Sequence, residues 1–149
     1  MKLITLVCSF LFIGHVNAST VDITDFKLRE FIPGASSSVA YFSLSNTGKE
    51  ARTLLSVNVE GIGRAELHQH QLIDGMMKMT QLSSLEIPAG QSVTFEPGGL
   101  HLMLFDPEET ENTGNKKTAV FIFKNGEQLS SQGQVVSLMR ETHDHSHHH

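Results

Sequence analysis

From Val21 to Val136 apolar residues recur at every second position in short runs, and turn-forming residues separate one run from the next. A repeat of two places successive side chains on opposite faces of an extended strand, whereas a helix needs a repeat near 3.6. The chain is therefore expected to be all-β, a sandwich or a barrel. The clearest strands are 39–44, 54–59, 64–70, 76–80, 92–95, 100–105, 118–123 and 134–138. Gly61-Ile62-Gly63, Asp74-Gly75, Pro88-Ala89-Gly90, Pro97-Gly98-Gly99 and Asn125-Gly126 supply the turn chemistry between them. The polar stretch 106–117, with Glu108, Glu109 and Glu111, reads as a surface connection or a single helical turn.

The first residues have a different purpose. Met1-Lys2, an apolar run from Leu3 to Ile13 and the small-residue pattern Val16-Asn17-Ala18 together form a secretory signal, with cleavage expected after Ala18. Gly14 and His15 interrupt the apolar run too early for a membrane anchor, and no later segment is long and apolar enough to span a bilayer. Cys8 is the only cysteine, and it falls inside this leader behind Val7, where a lipoprotein cleavage site would want a small residue. The mature chain then has no disulfide, no thiolate ligand and no cysteine nucleophile. About 130 of the 149 residues remain, enough for one domain with its own core, expected over 19–138. The formal net charge of −5 argues against nucleic acid or an anionic membrane as the main partner.

Two strands carry the residues that suggest chemistry. In Leu100-His101-Leu102-Met103-Leu104 the leucines share one face and His101 and Met103 the other. In Glu66-Leu67-His68-Gln69-His70, His68 and His70 likewise share the face away from Leu67. Asp74-Gly75 is a two-residue hairpin signal, and taking these two as the loop sets Ile73 opposite Met76, Leu72 opposite Met77, His70 opposite Met79 and His68 opposite Gln81. His68 then lies diagonal to Met79, within reach on one face. Methionines usually fill core gaps and histidines on strands are usually solvated. Two such segments in one exported chain point instead to a shared metal site. Thioether is a soft ligand and imidazole a borderline one, so the mixture selects copper(I) over zinc, calcium or magnesium. Methionine also keeps its donor in an oxidising compartment, where thiols are lost to disulfides.

These residues resemble the signature of the periplasmic copper chaperones called PCuAC: a histidine, ten residues, a methionine, twenty-one residues, then His-x-Met, met here by His68, Met79, His101 and Met103. The flanking Glu66-Leu67-His68, Met77-Lys78-Met79, Glu86-Ile87-Pro88-Ala89-Gly90 and Pro97-Gly98-Gly99-Leu100 are similar too, and weaker likeness reaches from Pro33-Gly34 to about Val136. The resemblance implies a cupredoxin-like Greek-key β-barrel or sandwich in the periplasm. It also implies copper(I) bound at an exposed site and handed to another protein, often for the CuA centre of cytochrome c oxidase. Copper and a copper-donating or copper-accepting periplasmic protein are the expected partners, with the chain a monomer or a metal-linked dimer.

The chain departs from the family's pattern in two places. His70 stands where many members carry methionine, which adds an imidazole and tolerance of copper(II), and the connection after Leu104 is acidic rather than basic. Met77 joins His70 as a secondary candidate. The tail 139–149, with His143, His145, His147, His148 and His149, reads as a disordered arm for copper(II) or zinc, or else its last histidines are the remnant of a purification tag. A blue-copper electron carrier is excluded because that centre needs a cysteine thiolate. A copper enzyme lacks support from any nucleophile–base pair or paired carboxylates. The rival role is a copper buffer or resistance protein that uses the same site without dedicated delivery.

Overall fold

Turn chemistry punctuates the chain where the alternation stops, and ten strands result among the described residues: β1 (Val21–Arg29), β2 (Ser37–Asn46), β3 (Arg52–Val59), β4 (Ile62–Ile73), β5 (Met76–Leu82), β6 (Leu85–Ile87), β7 (Ser92–Phe95), β8 (Leu100–Pro107), β9 (Lys116–Phe123) and β10 (Gln128–Val136). The computed structural model describes residues 19–108 and 115–137. The expected leader 1–18, the middle of the acidic connection, Leu138 and the tail 139–149 lie outside the described residues. No helix among the described residues is long and apolar enough to cross a membrane.

All ten strands hydrogen-bond in one mixed sheet, in the order β5-β4-β8-β7-β2-β1-β10-β9-β3-β6, with β8 also pairing β2. Most neighbours are antiparallel, while β1–β10 and β7–β8 are parallel. The sheet curls so that one face closes on itself. Phe42 of β2 meets Phe121 of β9 edge to face at 5.0 Å, although β1 and β10 separate those strands in the sheet. Phe26 packs edge-on against both rings, and Phe95 stacks on Phe42 at 4.1 Å. Such aromatic pairs add roughly 0.5–1.5 kcal/mol each beyond their burial. Ala40, Leu44, Leu54, Leu102, Leu104, Ala119 and Phe123 complete the enclosed face. Asn46 closes the seam: its amide donates to the Glu50, Ile87 and Pro88 carbonyls, and its Oδ1 accepts from the Gly48 amide. This is the all-β, cupredoxin-like fold expected from the alternation and the resemblance.

Several boundaries differ from the expectation, for physical reasons. The alternation in β1 changes phase, with Val21 and Phe26 both inward, because a bulge shifts the register between Thr24 and Lys27. Asp25 takes φ 55° there. A strict period-two reading does not recover such a strand. β10 begins at Gln128 rather than 134, since its polar first half is held by β9 and contributes little apolar pattern. Gly61-Ile62-Gly63 is not wholly a turn: β4 already starts at Ile62. Asp106 and Pro107 belong to β8, and Lys116 and Lys117 to β9, so the acidic connection is shorter than 106–117.

Candidate metal centre

The β4–β5 hairpin fixes half of the site. Asp74 and Gly75 have φ 52° and 77°, the paired positive values of a tight two-residue turn matched to strand twist. The register that follows is Ile73 to Met76, Leu72 to Met77, His70 to Met79 and His68 to Gln81, as the hairpin arithmetic requires. On its other side β4 pairs β8, with Leu67 opposite Leu102, His68 opposite His101 and Glu66 opposite Met103. Cross-strand partners share a face, so Leu67, Leu102 and Leu104 enter the core. Glu66, His68, His70, Met79, His101 and Met103 gather on the other face.

That face is more sheltered than expected. His101 is only 4 % exposed and His68 9 %, whereas Met79 is 52 % exposed. The expected exposure is found at the Met79 side chain and not at these imidazoles, because the His70 ring stacks on His101 at 4.8 Å between centroids and Met79 closes from β5. The His68 and His101 rings lie 5.8 Å apart. Met103 is half-buried two residues along β8 from His101 and opposite Glu66 in the register, and Met77 stands exposed at the hairpin tip opposite Leu72. The tail histidines lie outside the described residues.

Hydrogen bonding determines which atoms face the centre. His101 Nδ1 lies 3.1 Å from the Gly99 carbonyl, which can only accept, so Nδ1 carries the proton and Nε2 its lone pair. That Nε2 is 3.2 Å from Met79 Sδ. Two electron-pair donors thus confront each other. A second proton on the ring would relieve this, but burial, chiefly, holds the His101 pKa below its ordinary value; the Gly99 carbonyl opposes the shift, and charge on His70 and His68 adds to it. A soft cation held between the two atoms would resolve the contact. Bonds of about 2.0 Å to nitrogen and 2.3 Å to thiolate sulfur, as at zinc, set tetrahedral neighbours about 3.5 Å apart, and the 3.2 Å found here is of that order. Nδ1 of His68 and of His70 are buried without a hydrogen-bond partner. No group of three or more His, Cys, Asp or Glu side chains converges as a metal site among the described residues.

Sequence reasoning did not single out Glu66 or Arg64 as part of this arrangement. Glu66 Oε2 is 2.8 Å from His68 Nε2, and its other oxygen pairs with Arg64. Its pKa is lowered, first by the bond to His68 and then, against the opposing effect of burial, by Arg64. The signal was present in Arg64, Glu66, His68 and His70 at alternate positions of one strand.

Comparison with known proteins agrees with the architecture. The copper-bound PCuAC domain from PmoF2 superposes with a TM-score of 0.66 at 18 % identity, covering 81 % of this chain and 96 % of that one. Apo-DR1885 from Deinococcus radiodurans gives 0.61 at 18 % identity, covering 92 % of each chain. Its copper(I) form gives 0.60 at 20 % identity, covering 78 % of this chain and 76 % of that one. At these identities the likeness establishes the fold. "Uncharacterized protein RP573" of Rickettsia prowazekii (strain Madrid E) is 33 % identical over 94 residues, 62 % of this chain, which spans about half (52 %) of that relative's length. The family model described as "Putative lipoprotein LpqE-like" matches residues 21–135, from the first residue of β1 almost to the end of β10, and the chain belongs to this LpqE-like family.

Proposed function

We propose that this protein is an exported copper(I) chaperone that binds one ion between His68, Met79, His101 and Met103 and passes it to a partner. The observation that carries the reading is the apposition of His101 Nε2 and Met79 Sδ at 3.2 Å, with the Gly99 carbonyl 3.1 Å from Nδ1 on the other side of the ring. Soft and borderline donors without cysteine favour copper(I). The solved structures that share the fold include a copper-bound PCuAC domain and copper(I)-DR1885, and the lipoprotein description of the family supports export to the periplasm. No cysteine occurs after Cys8, so a blue-copper centre has no thiolate.

The distribution of exposure suits transfer. Sheltered imidazoles retain the ion, while the exposed Met79 thioether is the ligand an incoming donor atom displaces first. CuA assembly in cytochrome c oxidase is the proposed destination. His70 and the tail histidines would add nitrogen donors for copper(II). An anaerobic copper(I) titration followed by X-ray absorption tests the centre: one equivalent with two sulfur and two nitrogen neighbours is expected, and an all-nitrogen or nitrogen–oxygen shell refutes it. Mixing the loaded protein with a CuA-bearing domain or an assembly factor then separates chaperone from buffer, because a buffer retains its copper.

A further inference from the structure

We propose that Glu66 is a positioning residue that makes His68 an Nδ1 metal donor, with Arg64 holding Glu66 in place. This rests on the copper reading of the same centre. A neutral imidazole carries one ring proton, and its hydrogen-bond partner selects the nitrogen that holds it. Glu66 Oε2 lies 2.8 Å from His68 Nε2 and, as a carboxylate beside a guanidinium, can only accept. The proton therefore sits on Nε2. The lone pair is left on Nδ1, the nitrogen that is buried and without a partner in the protein. A buried acceptor without a partner needs an explanation, and a metal ion supplies one.

Glu66 is itself restrained. Its Oε1 is taken by Arg64, whose guanidinium lies 4.1 Å above the Phe105 ring and whose Nε is 3.9 Å from Asp106 Oδ2. Both carboxylate oxygens are thus engaged, which keeps a hard oxygen ligand off a soft metal although Glu66 stands opposite Met103 in the register. His101 is set in the opposite sense, its Nδ1 proton given to the Gly99 carbonyl. The two register-paired histidines therefore use different ring nitrogens. Because Nδ1 is nearer the main chain than Nε2, they offer donors at different heights above the sheet.

The test uses the full chain, nitrogen-15 labelled, with and without copper(I). Long-range proton–nitrogen spectra of the copper-free protein at neutral pH are expected to show His68 protonated at Nε2 and His101 at Nδ1. In Glu66→Ala the His68 pattern should change, and copper(I) affinity should fall about tenfold to a hundredfold. An unchanged His101 pattern would report that the fold is intact. Glu66→Gln keeps an accepting oxygen and should restore most of the affinity. A wild-type chain that binds copper(I) with His68 protonated at Nδ1, or a Glu66→Ala variant with wild-type affinity, overturns the role of Glu66 and leaves the copper reading standing. A wild-type chain that binds no copper(I) overturns the copper reading whatever the tautomers are.

Discussion

Replacing Met79 with leucine removes one sulfur and almost nothing else. The residue lies on the edge strand β5, is 52 % exposed and is of similar volume to leucine, so folding stability should change by no more than about 0.5 kcal/mol. What disappears is the donor that faces His101 Nε2 at 3.2 Å. Loss of an outer-shell partner of a metal ligand costs about tenfold to a hundredfold in affinity, and a direct ligand should cost at least that, or about 1.4–2.7 kcal/mol. Copper(II), which the imidazoles prefer to hold without thioether, should be nearly unaffected. Anaerobic competition against a coloured copper(I) chelator, run beside a copper(II) titration, measures both. Unchanged copper(I) affinity, or equal losses for the two oxidation states, would refute the assignment of Met79 as a ligand.

Two further outcomes concern pH and packing. Burial depresses the His101 pKa, so the unfolded chain takes up that proton more readily, and the copper-free fold should lose stability as pH falls below about 6.5 and on through the lower folded value. Urea titrations from pH 8 to 5 should show this loss and show less of it in His101→Gln, and a wild-type stability that rises on acidification would contradict it. In the core, a Cβ on Gly133 of β10 would come within 2.5 Å of Phe26 Cδ1 and 2.8 Å of Leu28 Cδ1. Gly133→Ala should therefore cost about 1–3 kcal/mol in chemical denaturation, and an unchanged midpoint would mean that the Phe26 ring moves aside freely.

Some elements were legible because their causes are local. Ser92–Phe95 alternates cleanly and its ends match the expectation, while Asp74-Gly75 names its own turn and with it the register of every residue from Leu67 to Leu82. Other features were obscured. β1 reverses phase at Asp25, and β3 does the same between Leu54 and Ser56, so that Leu54, Val57 and Val59 all turn inward. A bulge adds one residue to one strand and leaves no distinctive composition. Glu66 shares a strand face with His68 and His70 by the same alternation, but its engagement on both oxygens depends on side-chain directions that spacing does not specify.

The sequence by itself determined the all-β class, the hairpin register and the soft and borderline side-chain types at positions 68, 79, 101 and 103, since each follows from residue type and from contacts between near neighbours in the chain. Only the tertiary structure decided that β8 lies beside β4, which sets His101 against His68 and Met103 against Glu66. That pairing joins segments separated by three intervening strands, and it is selected by closure of the phenylalanine and leucine core rather than by a turn. The same packing sheltered the imidazoles, committed one nitrogen of His68 and one of His101 to a neighbouring oxygen, and left Met79 at the surface. A linear pattern carries these side chains, but their burial and protonation depend on the strands that fold over them.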